Sequence, residues 1–155
     1  GMELKPDRYD LGQLTGDLLK RYYPGQLAAG RIRLSLNEEM FCKVDKDAYT
    51  SMLTNLVDNA LKYGGDQCSV ELKRAADLNK IALAVCDNGP GIAITEKKRI
   101  FERFYRSGSE ETRSARGTGL GLYIVRNLAA RHGASVRVTD NKPRGSVFEI
   151  VFNAC

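Results

Sequence analysis

A stripe of polar side chains is the first feature of the sequence that could do chemistry. Asn55, Asn59 and Lys62 recur at helical spacing within the segment 45–63, so on a helix they share one face. Two carboxamides and an ammonium group beside a buried face need polar partners. A carboxamide oxygen suits Mg²⁺, and an ammonium group suits phosphate. Solvation, or capping of neighbouring turns, would explain the stripe equally well.

A glycine-containing motif follows the apolar segment 80–86. DNGPGI (Asp87–Ile92) combines a carboxylate with two glycines that permit positive φ and a proline that stiffens the turn. If Asp87 ends a buried strand, its carboxylate can accept a hydrogen bond from an exocyclic amine, and the bare backbone beside it lets a flat ring approach. An ordinary Asx-type turn is the alternative interpretation.

A second glycine motif, GTGLGL (Gly117–Leu122), precedes a predicted helix. Backbone N–H groups at a helix start attract anions by about 0.3–1 kcal/mol per charge, and glycines let a phosphate approach that backbone. No GK[ST] follows, so the motif is not a P-loop. It follows a polar loop and not a strand, so it is also a poor dinucleotide fingerprint. Alone, it is a weak signal.

The segment FERFYRS lies between the two glycine motifs. Phe101 and Phe104 are three residues apart, so both can dock one face of a short helix on the core while the arginines project outward. The polar stretch 107–116 has no apolar period, which predicts a mobile loop. Together they indicate a lid over about residues 94–118, hinged by aromatics and carrying arginines towards phosphate. Phe101 and Phe104 could also simply anchor a flexible loop, and that interpretation is compatible with the lid as well.

The surrounding patterns predict the elements that position these motifs. Helical periodicity covers 10–22, capped by Asp10, and 45–63, capped by Asp45 or Asp47. A further helix covers about 120–131, and alternating segments predict strands at 31–36, 40–44, 69–74, 80–86, 135–139 and 146–152. The first two strands are predicted to form a hairpin. The sum is an α+β fold, a two-layer sandwich with a mixed, mostly antiparallel sheet of about five strands packed on about three helices.

Length and charge limit the classes of protein. The 155 residues suit a single domain, 1–155, and Gly1-Met2 resembles a cloning remnant, so we expect a fragment of a longer protein. No apolar run reaches the roughly 18–20 residues of a membrane span. We therefore expect a cytoplasmic fragment without direct membrane contact, although its parent could be anchored in the inner membrane.

The net charge of +5 is modest for a protein that binds nucleic acid, so we expect no nucleic-acid partner. Many cations fall between Lys97 and Arg116, which suits a small polyanion or a solvated loop.

The cysteines and the single histidine have structural explanations. Cys42, Cys68, Cys86 and Cys155 form no CxxC pair, so we expect reduced, buried side chains and no zinc site. His132 precedes Gly133 at a predicted helix end, where a histidine is a good cap.

The four motifs become specific through their order and spacing. NLVDNALKYG, DNGPGI, FERFYRS and GTGLGL closely resemble the N, first glycine, F and second glycine boxes of sensor histidine kinases. The match covers essentially the whole chain. The resemblance implies the Bergerat ATP-binding fold, which these kinases share with gyrase-type topoisomerases, mismatch-repair MutL proteins and a chaperone ATPase family. It also implies ATP and Mg²⁺ as cofactors.

The resemblance carries the family's roles to particular residues. Asp87 would hold the adenine amino group, and Asn59 would coordinate Mg²⁺. Asn55 and Lys62 would contact phosphates and, with the lid arginine Arg106 near the γ-phosphate, would form the catalytic group. The remaining nucleotide-binding positions would be Tyr63, Gly89, Gly91, Ile92, Phe104, Gly117, Thr118, Gly119, Leu120, Gly121 and Leu122.

Asn55 favours transfer over hydrolysis. In the hydrolytic relatives a glutamate one helical turn before the metal-binding asparagine activates water, and an asparagine cannot act as that base at neutral pH. The expected activity is therefore transfer of the γ-phosphoryl group to a histidine on a separate dimerisation domain, then to a response-regulator aspartate. The isolated chain should not phosphorylate itself. A nucleotide-gated interaction module and a gyrase- or chaperone-like ATPase are the alternatives.

Overall fold

The computed structural model describes residues 3–36, 38–76, 79–103, 105 and 120–155. Its strands are β1 (Asp7–Asp10), β2 (Ile32–Leu36), β3 (Phe41–Val44), β4 (Cys68–Arg74), β5 (Lys80–Asp87), β6 (Ser135–Asp140) and β7 (Ser146–Asn153). Its helices are α1 (Leu11–Tyr22), α2 (Pro24–Ala28), α3 (Lys46–Tyr63), α4 (Ile94–Lys97) and α5 (Gly121–Arg131).

Five of the strands form one mixed sheet, in the order β2-β4-β5-β7-β6. Only β2 and β4 run parallel, and the other neighbours are antiparallel. A buried apolar core joins this sheet to α1, α3 and α5. The predicted α+β sandwich with a mixed, mostly antiparallel sheet is therefore confirmed. No described helix combines the length and the apolar character that a membrane crossing would need.

The predicted hairpin between segments 31–36 and 40–44 is wrong. β2 pairs in parallel with β4, placing Ile32 opposite Cys68. β3 pairs instead with β1 in a separate two-stranded sheet, placing Cys42 opposite Tyr9. The hairpin prediction used only the short separation of the two segments. Both strands instead pair with distant segments, one of which is a short strand rich in charge, and each buries part of its apolar residues, such as Ile32 and Val44.

Helix α3 carries the polar stripe and forms as its sequence predicts. Asp45 caps it, because one carboxylate oxygen accepts a hydrogen bond from the Ala48 N–H at 2.9 Å. The helix ends at Tyr63, and Gly65 continues the chain with a φ of +84°. The six residues predicted for the core-facing stripe are all buried: Tyr49, Met52, Leu53, Leu56, Val57 and Ala60.

The cap of α3 makes stability depend on pH. Hydrogen bonds from the backbone N–H groups of Lys5 and Ala48 hold the pKa of Asp45 below its usual range. The carboxylate's contribution to the free energy of unfolding is therefore present above its unfolded pKa of about 3.9. It is lost as the pH falls through the lower pKa of the folded state.

Asp45→Ala should lower the free energy of unfolding by about 0.5–2 kcal/mol at pH 7. In urea denaturation this deficit should shrink towards pH 3, whereas a constant deficit would contradict the assignment. Asp17→Ala, at an exposed position of α1, is the control.

The four cysteines are free thiols with different exposure. Cys42 and Cys68 are buried as predicted, Cys86 is half-buried and Cys155 is exposed, so the expectation of burial is wrong for Cys155. Cys155 follows the last strand, where no neighbouring layer covers it. Burial raises the pKa of the Cys42 thiol to about 11 and that of Cys68 to about 12.

A thiol titration tests this arrangement. At pH 8 a disulfide reagent should react fast with Cys155 alone in the folded protein, because thiolate is the reactive form and the buried thiols are protonated. All four should react in urea. Cys155→Ser should remove the fast phase, and a fast phase that survives this substitution would show that the core is more open than described.

Candidate functional site

A pocket opens where β5 ends, between the last turn of α3 and the start of β7. Its lining combines side chains from the helix with the backbone of the loop that follows β5. The lining residues are Asn59, Tyr63, Gly64, Asp87, Pro90, Gly91, Ile92, Ser146 and Phe148. Asn59, Tyr63, Asp87, Gly91 and Ile92 were predicted as site residues from their motifs. The fold therefore brings the N box and the first glycine box together at one pocket.

The Asp87 carboxylate is buried and held in one orientation. Only 6% of the residue is exposed. Its Oδ1 accepts hydrogen bonds from the backbone N–H groups of Gly89 and Ser146, each at 3.0 Å. Because these bonds already hold the carboxylate in one orientation, little conformational entropy is lost when a ligand binds to it. Asp87 is therefore an oriented acceptor in the wall of the pocket, suited to a donor such as an exocyclic amine.

Three backbone segments meet so closely behind Asp87 that only glycine fits. A Cβ atom on Gly89 would lie 2.7 Å from the carbonyl carbon of Gly64, and one on Gly64 would lie 2.5 Å from the Asp87 Cβ. A Cβ on Gly145, whose φ is +105°, would lie 2.0 Å from the Asp87 carbonyl oxygen. The end of α3, the loop after β5 and the turn before β7 thus define the pocket wall together.

The turn before β7 also binds the loop by side-chain hydrogen bonds. Asn141 donates from Nδ2 to the Asp87 carbonyl at 2.7 Å, and Arg144 donates from Nε to the Gly89 carbonyl at 2.9 Å. Sequence reasoning missed this turn, as it missed Gly64, Ser146 and Phe148. The only local signal was a glycine between two predicted strands, in KPRGSV. Its role depends on pairing that places Val147 opposite Cys86.

The start of α5 lies against the polar stripe of α3. A Cβ atom on Gly121 would lie 2.9 Å from Oδ1 of Asn55. The Asn55 amide group donates to the Ser51 carbonyl at 2.8 Å. Gly121 and Leu122 open the helix, and Leu120 precedes it. The backbone N–H groups of this first turn therefore lie beside the same helix that supplies Asn59 to the pocket, which is an arrangement suited to an anion.

Residues 44–154 match the family of histidine kinase-, DNA gyrase B- and HSP90-like ATPases. The chain belongs to this family. A sensor protein for swarming motility, RssA of Serratia marcescens, is 37% identical over 142 residues, which is 88% of this chain and 29% of that protein. The sensor-like histidine kinase SenX3 of Mycolicibacterium smegmatis is 38% identical over 97% of this chain and 40% of that protein. The chain thus spans less than half the length of these two relatives.

Solved structures show the same fold. The mycobacterial sensor histidine kinase MprB has a TM-score of 0.77 at 27% identity, covering 97% of this chain and 98% of that one. Full-length ShkA in complex with AMPPNP has a TM-score of 0.76 at 26% identity, covering 99% of this chain and 32% of that one. These likenesses, with the family match, identify the chain as the ATP-binding catalytic domain of a sensor histidine kinase.

Some predicted site residues of the catalytic domain lie elsewhere than at the pocket. Lys62 is exposed on the last turn of α3 and does not line the pocket. The Asn55 amide donates to the Ser51 carbonyl, and Asn55 does not line the pocket. Other predictions fall outside the described residues. They concern most of the predicted lid and the residues Phe104, Arg106, Gly117, Thr118 and Gly119.

The described start of the predicted lid segment packs on the core of the catalytic domain. Phe101 is buried, and its ring meets that of the pocket residue Phe148 edge-on, with centroids 6.2 Å apart. The short helix that the spacing of Phe101 and Phe104 predicts is regular, among the described residues, only over Ile94–Lys97, and the chain then continues in turns. Phe101 therefore joins the first part of the lid segment to the sheet directly behind the pocket.

His132 has the structural role that its position predicts. It follows α5 as the C-cap residue, and its Nδ1 lies 2.8 Å from the Leu128 carbonyl. The backbone N–H of Asp45 donates to His132 Nε2 at 3.1 Å. Because Nε2 accepts from this N–H group, the hydrogen bonds fit the tautomer that carries its proton on Nδ1. The histidine thus joins the end of α5 to the cap of α3.

Proposed function

We propose that this domain binds Mg-ATP in the pocket beside Asp87 and donates the γ-phosphoryl group to a histidine on a separate dimerisation and phosphoacceptor domain. The observation that carries the proposal is that a buried, oriented carboxylate and the Asn59 carboxamide line one pocket. The neighbouring start of α5 offers an anion-binding helix terminus. The relative ShkA was solved with the ATP analogue AMPPNP, which supports ATP as the ligand.

The adenine ring would occupy the part of the pocket bounded by Asp87, Ile92 and Phe148. The carboxylate of Asp87 would accept a hydrogen bond from the exocyclic amine. Ile92 and Phe148 supply apolar surface for the flat faces of the ring, and Tyr63 lines the same pocket. The backbone at Gly91 has no Cβ to keep the ring away. A guanine ring, which presents a carbonyl oxygen at the same position, would face the carboxylate with like partial charge.

The residues present fit one Mg²⁺ ion held mainly by the nucleotide. Among the described residues there is no cluster of three potential metal ligands from histidine, cysteine, aspartate or glutamate. Asn59 offers a hard carboxamide oxygen at the pocket. Mg²⁺ commonly keeps one or two protein ligands and takes the others from phosphates and water. When bound, the ion would neutralise phosphate charge, and Asn59 would fix its position.

The phosphates would extend from the pocket towards the first turn of α5. Gly121 has no side chain, so this turn packs directly against the Asn55 carboxamide, and the N–H groups of the helix start would attract the phosphates. Lys62, on the exposed end of α3, is long enough to turn towards this region. We assign Arg106 and the segment 117–119 to the same phosphates, as the histidine kinase motifs imply.

Asn55 supports transfer over hydrolysis. Its amide group donates to the Ser51 carbonyl, and a carboxamide cannot take a proton from water near neutral pH. The site would therefore hold ATP without activating water until a histidine of the acceptor domain approaches. A response-regulator aspartate would receive the phosphoryl group next. A gyrase- or chaperone-like ATPase, the second candidate, would need a base in the position of Asn55.

A transfer assay separates these functions. The chain is incubated with ATP labelled at the γ-phosphate, with and without the separately expressed acceptor domain of the same kinase. We expect acid-labile label on the acceptor domain, only with Mg²⁺, and none on this chain. An acceptor whose histidine is replaced by alanine, and His132→Ala in this chain, are the controls. Release of free phosphate without labelling of the acceptor would refute the kinase assignment and favour an ATPase.

Replacing Asn59 tests the metal assignment. Asn59→Ala should reduce the Mg²⁺-dependent part of ATP affinity by about tenfold or more, which is typical of lost metal-site support. Adenosine, which carries no phosphate, should bind as before. Calorimetry with and without Mg²⁺ measures both, and Asn127→Ala on the exposed side of α5 is the matched control. Unchanged Mg²⁺ enhancement in Asn59→Ala would exclude Asn59 as a ligand.

A further inference from the structure

A second groove runs along the outer edge of the sheet and shares no lining residue with the nucleotide pocket. It lies between β6, the middle of α5 and the segment that follows α4. Its walls carry several cations, and its base is apolar. The residues that matter are Lys98, Arg126 and Arg137 on the walls and Phe101, Val136 and Val138 at the base.

The backbone of β6 forms one side of this groove. Four consecutive residues, 135–138, line it. Because neighbouring side chains of a strand point to opposite faces, consecutive residues can share a groove only along the strand's edge. β6 is the outer strand of the sheet, and within the described residues it pairs only with β7. Such an edge presents N–H and C=O groups that can pair with another strand.

The charge of the groove selects an anionic occupant. No aspartate or glutamate is among the lining residues. Arg137 donates from Nε to Glu149 at 2.7 Å and is partly neutralised. Lys98 and Arg126 are exposed, and neither forms an ion pair with a described carboxylate. The groove therefore retains positive charge above an apolar base.

We propose that this groove binds an extended acidic segment of a partner protein, which adds a strand to the open edge of β6. Carboxylates at alternate positions of the segment would lie on the face of the sheet that carries Val136 and Val138. Their charged ends would face Lys98 and Arg126, and their methylene groups would lie on the apolar residues of the groove. Strand addition supplies main-chain hydrogen bonds, and side-chain pockets supply specificity. A nucleic acid would use the cations but neither the strand edge nor the apolar base, so the observations favour a peptide.

A peptide titration tests the proposal on the full chain. The probe is an end-blocked peptide that alternates glutamate and valine over six residues, added to ¹⁵N-labelled protein at low salt. Amide shifts should concentrate at residues 135–138 and at Lys98 and Arg126. The double variant Lys98→Glu/Arg126→Glu should bind at least about tenfold more weakly, because each reversal turns an attraction into a repulsion.

Matched controls separate this site from general charge effects and from loss of the fold. Lys20→Glu/Arg21→Glu, at the end of α1, makes the same change in net charge and should bind the peptide as the unmodified chain does. The circular dichroism spectrum and the urea midpoint of both variants should match those of the unmodified chain, which would show that the fold is intact.

Several outcomes would overturn the proposal. They are the absence of groove shifts at millimolar peptide, undiminished binding by Lys98→Glu/Arg126→Glu, and equal affinity for a peptide with glutamine in place of glutamate. Tighter binding of a single-stranded oligonucleotide of the same charge would also overturn it. The first of these would leave Arg137, the cation of β6, with the ordinary role of keeping other strands from pairing with an edge strand.

Discussion

Asp87→Asn should weaken ATP binding by about 100-fold or more while the domain stays folded. The Oδ1 of asparagine can still accept the two backbone hydrogen bonds that now come from Gly89 and Ser146 at 3.0 Å. The second oxygen becomes an NH₂ group, which would meet the adenine amine donor to donor. A buried donor pair without an acceptor loses both hydrogen bonds and their solvation.

The same reasoning predicts a change in base preference. Inosine triphosphate carries a carbonyl oxygen where ATP carries the amine, so it should bind poorly to the unmodified chain and comparatively better to Asp87→Asn. Calorimetry with both nucleotides measures the ratio. Asp58→Asn is the control, because Asp58 lies on α3 and accepts from the Tyr23 hydroxyl at 2.7 Å, outside the pocket. Unchanged ATP affinity and unchanged preference in Asp87→Asn would refute the adenine assignment.

Gly145→Ala should both destabilise the domain and reduce ATP affinity, although Gly145 lies in none of the four motifs. The added Cβ would lie 2.0 Å from the Asp87 carbonyl oxygen, at a backbone φ of +105° that other residues rarely adopt. The strain and the forced displacement together should lower the free energy of unfolding by about 2–4 kcal/mol. The displaced group belongs to Asp87 itself, so the carboxylate would lose its alignment.

Gly25→Ala is the matched control for this prediction. A Cβ at Gly25 would have no atom within 4 Å, and the residue lies in α2. Alanine there should be neutral or should stabilise the helix by up to about 1 kcal/mol. Urea denaturation and ATP calorimetry on both variants measure the two effects. If Gly145→Ala had the stability and the affinity of the unmodified chain, the close contact between the turn and Asp87 would be excluded.

The parts of the fold that sequence predicted best are those with strong local periodicity. The apolar stripe of α3 needs only helical spacing, and its cap needs only an aspartate at the right position. The motif residues Asn59 and Asp87 were correctly expected to lie together. This expectation came from the family resemblance. The spacing of the residues does not give it, because the end of α3 and the end of β5 meet only in the folded domain.

The parts that sequence missed depend on contacts between distant segments. The short strand β1 has no apolar alternation, and it forms because β3 is available as a partner. Gly64 and Phe148 line the pocket, and Gly145 packs behind Asp87, through contacts between the end of α3 and the β5–β7 pair. No local pattern encodes that register. The hydrogen bond from Asn55 to the Ser51 carbonyl is local and matches an alternative that the sequence left open, whereas the contact of Asn55 with Gly121 joins distant segments.

A crystal structure of the chain with AMPPNP and Mg²⁺ tests the central claim most directly. We expect the adenine amine within hydrogen-bonding distance of the Asp87 carboxylate, the metal on the Asn59 oxygen, and the phosphates at the first turn of α5. An analogue bound elsewhere, or bound in this pocket with its adenine away from Asp87, would contradict the account.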